Sequence, residues 1–218
     1  MAFVSTRKSS LLGDSFVLAP ERYDPRRSME ANDGCIPLRE IANISRSTVR
    51  ALSEEQKALV LDTSDAREGI IVAKKSPTSE IGSAKKLVEP GNVIISRLRP
   101  YLRQVAFVDS AITNGECQLL CSTEFFVLQA IDKESIAFLV PYLLTTKVQT
   151  ILAASQEGGH HPRFNESVLS ALPIPKQLLD DRKKASRIVE ESVKSYRRSE
   201  KNIEELVSVS NQCVEKSL

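Results

Sequence analysis

Residues 87–103 read LVEPGNVIISRLRPYLR, and the order of residue types in this stretch decides how the rest of the chain is read. Glu89-Pro90-Gly91-Asn92 is a turn signal, because proline presets φ and glycine tolerates the left-handed region. It feeds the β-branched run Val93 to Ser96, which has the composition of a buried strand. Pro100 ends that strand, and an apolar run resumes from Leu102 to Val108. The pattern predicts a hairpin-like pair of strands whose connecting loop carries Arg97, Arg99, Tyr101 and Arg103.

Outward from this unit, the segment from Ile36 to about Pro175 is a succession of short runs: IPLREIANI, ALVLDTS, GIIVA, VAFVDSAI and TEFFVLQAI. Gly, Pro, Asn and Asp separate them, which predicts a β-rich domain. Between Glu134 and Ser155, Ala137, Leu139, Val140, Leu143, Leu144, Val148, Ile151 and Leu152 recur at three and four residues. That period predicts one or two helices packed on the sheet. Residues 1–35 are polar and hold the charged run ERYDPRR between Pro20 and Ser28, so they read as an irregular arm.

After Pro173 and Pro175 the pattern changes. Residues 176–218 contain neither Pro nor Gly, and Val189, Val193, Tyr196, Ile203, Leu206, Val207, Cys213 and Val214 repeat at near-heptad spacing. One long helix is expected, extending roughly 60 Å at 1.5 Å per residue. An apolar stripe of that length reaches beyond its own domain, which favours a coiled coil with a second copy or another subunit. A helix folded back as a hairpin is the alternative, and Ser192, Ser199 and Ser210 near the stripe are compatible with it. The expected class is α+β: a β-rich domain with packed helices over residues 1–175, its arm at 1–35, then a coiled-coil helix over 176–218 for dimerisation and subunit docking.

Composition bounds the function. With 218 residues, 41% hydrophobic and 27% charged, the chain can bury one sizeable core. A formal charge of +2 is too mild to announce nucleic acid by itself. The positive residues nevertheless gather in clusters and thin out between 111 and 175. No secretory leader opens the sequence, no apolar run approaches membrane-spanning length, and Cys35, Cys117, Cys121 and Cys213 show no paired framework. A reducing cytoplasm is the expected compartment.

Two groups of residues carry candidate chemistry. Arg97, Arg99 and Arg103, with Lys74, Lys75, Lys85 and Lys86, suit phosphate or guanine contacts, since guanidinium is a planar fork matching phosphate oxygens or the guanine O6/N7 edge. A solvated rim at a strand end is the ordinary reading of such arginines, and Tyr101 more often packs its ring than stacks on a base. In GGHHPRFN, Gly158 and Gly159 free the backbone ahead of His160, His161, Arg163 and Asn165 for close approach to a ligand; a simple helix cap is the plainer reading. Cys117-x3-Cys121 with His160 and His161 matches a tetrahedral zinc shell in residue type. The apolar setting CQLLCSTEFF favours buried thiols instead, and no metal or cofactor is expected. Phosphate-binding loops and the nucleophile elbow are missing, so catalysis by this chain is not expected.

The series LVEPGNVIISRLRPYLRQVAFV, CSTEFFVL and PYLLTTKVQTILAASQEGGHHPRFNESVLSALPIP, followed by a long charged helix, resembles the target recognition domain of type I restriction-modification specificity subunits. A similar module closes some N6-adenine methyltransferases. The resemblance runs from about Ile36 to the C-terminus. It implies a non-catalytic subunit of a phage-defence system that reads double-stranded DNA in the major groove. Its long helix would pack on a partner helix and on the methyltransferase (modification) subunits, with a restriction subunit as a possible further member. Carried over by residue, Arg97, Arg99, Tyr101, Arg103, His160, His161, Arg163 and Asn165 become DNA-facing candidates and Lys74, Lys75, Lys85 and Lys86 phosphate contacts. Arg163 has a second reading, tying its loop to the sheet.

Specificity subunits carry two recognition domains and two helical spacers, whereas this sequence holds one of each. A half-size subunit pairing with itself through Val189, Val193, Tyr196, Ile203, Leu206 and Val207, or a detached module serving a separate methyltransferase, would both fit. Two other classes stay open: a general DNA-binding or regulatory module recruiting a partner through its helix, and a self-contained enzyme using the GGHHPRFN loop.

Overall fold

The computed structural model describes residues 34–73, 75–113, 115–158 and 161–215. Nearly all of the arm, together with Lys74 and His160, therefore lies outside the described residues. Two four-stranded sheets build the head. In the first, Ala42–Ile44, Phe125–Ala130, Val93–Ser96 and Val105–Phe107 lie side by side, all antiparallel. In the second, the order is Thr48–Val49, Lys85–Val88, Gln118–Cys121 and Ala58–Leu61, with only the last pair parallel. The hairpin expected around Arg97 to Arg103 is present: Val93, Ile94 and Ile95 pair with Phe107, Ala106 and Val105.

The uninterrupted apolar run Val93 to Ile95 has a physical reason. Successive strand residues point to opposite faces, and here both faces are covered. Ile94, Ala106, Phe125 and Val127 meet Leu61, Val88, Leu119 and Cys121 of the second sheet. Val93, Ile95, Val105, Phe107, Phe126 and Leu128 face a second core shared with the helices. A strand buried on both sides has no polar alternation to show.

The helical period between Glu134 and Ser155 resolves into α1 (Leu139–Leu143) and α2 (Thr146–Ala154). Thr145 separates them. Its backbone is extended (ψ 143°), and its hydroxyl accepts from the Val148 N–H at 3.4 Å, capping α2. Then follow α3 (Glu166–Ser170), α4 (Lys176–Asp180) and α5 (Arg182–Glu215). The single helix expected from Lys176 onward is thus interrupted at Asp181, and its main part is 34 residues long.

The stripe on α5 divides in two. Val193 is only 2% exposed and belongs to the helix-side core, and Val189 packs against the same core. Tyr196 is partly buried. Val189 and Val193, read from sequence as part of a partner-facing stripe, pack on the head of their own chain. Polar anchors hold the junction. Ser186 Oγ accepts the Phe138 N–H at 3.1 Å, and Arg182 makes a two-pronged contact with Asp132 at 2.7 Å on each arm. From residue 201 to 215 every position is exposed, including Ile203, Leu206, Val207, Val209 and Val214. The rod runs off the head and does not fold back on it.

Candidate nucleic-acid interface

Arg97 follows directly on the buried strand Val93–Ser96, and the chain then makes one tight protruding turn. Pro100–Leu102 form a 3-10 turn closed by Leu102 N–H to the Arg99 carbonyl and Arg103 N–H to the Pro100 carbonyl, both 2.8 Å. Arg99 (φ 43°) and Arg103 (φ 52°) flank it in the left-handed region, a conformation costing roughly 1–2 kcal/mol at a non-glycine residue. Surrounding structure holds it there. Arg103 donates from Nε to Glu68 Oε1 and from Nη1 to the Leu144 carbonyl, each at 2.9 Å. Pro100 is buried, and the turn rests on α2. Left at the tip are Arg99, Tyr101 (67% exposed) and Leu102.

The second loop returns through a short ladder in which Gln156–Glu157 pairs with Arg163–Phe164. Gly158 takes φ 101°, which a side chain would resist. Gln156 Nε2 donates to the Pro162 carbonyl at 2.8 Å, and Asn165 Nδ2 donates to Glu157 Oε2 at 3.1 Å. Phe164, 1% exposed, anchors the loop from below, its ring centroid 5.6 Å from that of Phe126.

The two loops touch. Leu98 and Arg163 form an antiparallel bridge, and the Phe164 N–H donates to the Arg97 carbonyl at 3.2 Å. Beneath this seam sits Glu124, in the turn between the strands Gln118–Cys121 and Phe125–Ala130. Its Oε2 accepts from Arg97 Nε at 2.9 Å and from Arg163 Nε at 2.8 Å, while Oε1 accepts from Arg163 Nη2 at 2.6 Å. The Arg97 N–H also donates to the Glu124 carbonyl at 2.9 Å. The hydrogen bonds from Arg163, helped by Arg97, hold the Glu124 carboxyl below its ordinary range against the opposing effect of burial. No signal in a single sequence marks an acid as the common partner of arginines 27 and 39 residues away.

The candidate residues therefore separate by what they already hold. Arg97 and Arg163 are paired with Glu124, and Arg103 with Glu68 and Leu144. Lys75 bridges Asp62 and Asp65 at 2.7 Å each; burial opposes its charge, but these two hydrogen bonds raise its pKa above the usual lysine value. Lys86 donates to the Phe125 carbonyl at 2.6 Å, and burial lowers its pKa. Lys85 reaches Ser83 Oγ at 2.9 Å. Arg99, Tyr101 and His161 are exposed, and their side chains make no hydrogen bond or ion pair with the described residues.

No group of three or more His, Cys, Asp or Glu able to hold a metal ion occurs among the described residues. Cys121 is fully buried, and desolvation pushes its thiol up to about 12, against a thiolate ligand at neutral pH. No helix among the described residues is long and apolar enough to cross a membrane.

No protein-family model and no curated protein matches the chain. Solved structures do. A chain from a study of complex assembly and conformational transition in the type I R-M system matches with a TM-score of 0.54 and 21% identity, over 86% of this chain and 48% of that one. The HsdS subunit from Thermoanaerobacter tengcongensis gives a TM-score of 0.48 at 20% identity, over 86% and 48%. The type I restriction-modification S subunit from M. genitalium gives 0.46 at 14%, over 91% and 49%. The present chain spans about half the length of each. Its mixed α+β head and long terminal helix thus make up a fold shared with a type I restriction-modification chain, across roughly one half of that chain.

Proposed function

We propose that this chain reads DNA sequence for a type I restriction-modification or related phage-defence system, as a non-catalytic specificity subunit that directs an N6-adenine methyltransferase to its target. The observation that carries this reading is the seam between the two loops. Hydrogen bonds and the Glu124 clasp make them one surface, from which Arg99, Tyr101 and His161 project with no described partner. Side chains of these kinds contact base edges and phosphates, and a rigid base lets them discriminate. The likeness in fold supports the same role.

The exposed half of α5 supports assembly. Ile203, Leu206 and Val207 form an apolar stripe on a rod that its own head does not cover. A second copy, or the modification subunits, would bury it. Self-pairing about a two-fold axis would supply two readers and a bipartite, inverted-repeat target. Such an assembly works in the cytoplasm, where DNA is accessible.

Methylome sequencing of host cells with and without the gene tests the proposal. One adenine motif should vanish on deletion; an unchanged methylome together with no sequence preference in selection from random duplexes overturns it.

A further inference from the structure

Arg97, Glu124 and Arg163 together do more than brace the loops. One carboxylate, 23% exposed, takes three hydrogen bonds from two guanidinium groups at the edge of the proposed reading surface. Both arginines stand a third exposed, so solvent and phosphate can reach them. Their residues are also the two that join the loops, through the Leu98–Arg163 bridge and the contact from Phe164 to Arg97. Resting on the DNA-reading role proposed above, we infer that Glu124 is a specificity-setting positioning residue: it withholds Arg97 and Arg163 from the phosphate backbone and locks the two loops in register.

The physical argument concerns the balance of two kinds of contact. Phosphate contacts are independent of sequence and raise affinity for every duplex, whereas base contacts discriminate. Two mobile arginines on the rim would add the first kind. Tied to Glu124, they contribute little to it, and their backbones fix where Arg99 and His161 point. Removing the carboxylate charge should therefore strengthen binding to random DNA and blunt sequence preference, the opposite of what loss of a DNA contact would do.

The test uses the full chain and a pool of randomised duplexes, sequenced after selection, with affinities for random and enriched duplexes measured across a salt series. Glu124→Gln keeps shape and removes charge. It should bind random duplex severalfold tighter, with a salt slope steeper by about 1–2 in log–log terms for one or two added phosphates, and should enrich a more degenerate motif. Glu124→Asp keeps the charge on a shorter arm; its slope should stay at the wild-type value while its motif also blurs. A Gln variant with unchanged slope and motif, or with weaker binding to random duplex, overturns the inference. So does an Asp variant whose salt slope steepens, or whose motif stays as sharp as that of the wild type, a readout that also serves if Glu124→Gln fails to fold. Absence of any enriched motif with the wild-type chain overturns the DNA-reading role itself, and the inference with it.

Discussion

Arg197 on α5 and Asp109 on the head, 88 residues apart in sequence, form an ion pair with Nη2 to Oδ2 at 3.1 Å and Nε to the same oxygen at 3.2 Å. Their side chains are 16% and 13% exposed, and Glu200 takes the remaining arm of the guanidinium at 3.0 Å. This is where the rod leaves the domain: one turn later, α5 is fully exposed. The pair sets the direction in which the exposed stripe is presented.

Breaking that pair leaves a carboxylate mostly shielded from water without its counter-charge. Arg197→Ala should cost about 1–3 kcal/mol, lowering the midpoint of thermal unfolding by several degrees in calorimetry. An unchanged midpoint would mean the junction is held by Ser186, Val193 and Arg182 alone.

The two halves of α5 should respond differently to truncation. Val193→Ala removes buried methyl groups and should destabilise the chain by about 1–3 kcal/mol. Leu206→Glu, on the exposed half, should leave unfolding of the monomer unaltered and abolish self-association. Light scattering at micromolar concentration checks this: the proposed pairing predicts a dimer for the wild type and a monomer for the variant.

Arg99→Ala removes a side chain with no described partner and, since alanine keeps the Cβ, leaves the left-handed backbone as it was. Stability should hardly change, while affinity for the enriched duplex should fall by about 1–3 kcal/mol with relaxed preference at one position. Gel-shift titration against single-base variants of that duplex would show it.

Acid should loosen the clasp. Because the Glu124 carboxyl is held below its ordinary value, its contribution is fully present above the unfolded-state pKa of about 4.3 and is lost as pH falls through the lower folded value. The stability difference between wild type and Glu124→Gln should therefore be constant near neutrality and shrink below about pH 4, as thermal melts across pH 7 to 3 would reveal.

Cys121 should resist alkylation at pH 8 in the native chain, since its thiol is buried and pushed up to about 12. Peptide mass mapping should find it modified only after unfolding.

Much of this fold is written in local pattern. Short-range stereochemistry acts on neighbours in the chain, so the Pro-Gly turn before Val93, the strand pair around Arg97 to Arg103, and the helical stretch without Pro or Gly could be read from adjacent letters. The α+β class followed from them. Tertiary packing decided the rest. Whether a Val on α5 faces its own head or open solvent depends on where that head lies, which separates Val193 from Val207 although their spacing along the helix is the same kind of repeat. Whether an arginine near a loop is available to a ligand depends on which acid the fold brings beside it. Arg97 and Arg163 met Glu124, and Arg99 met no acid among the described residues, because strand pairing and a loop-to-loop bridge bring distant parts of the chain together, and pairing at that range leaves no trace in the spacing of a single sequence.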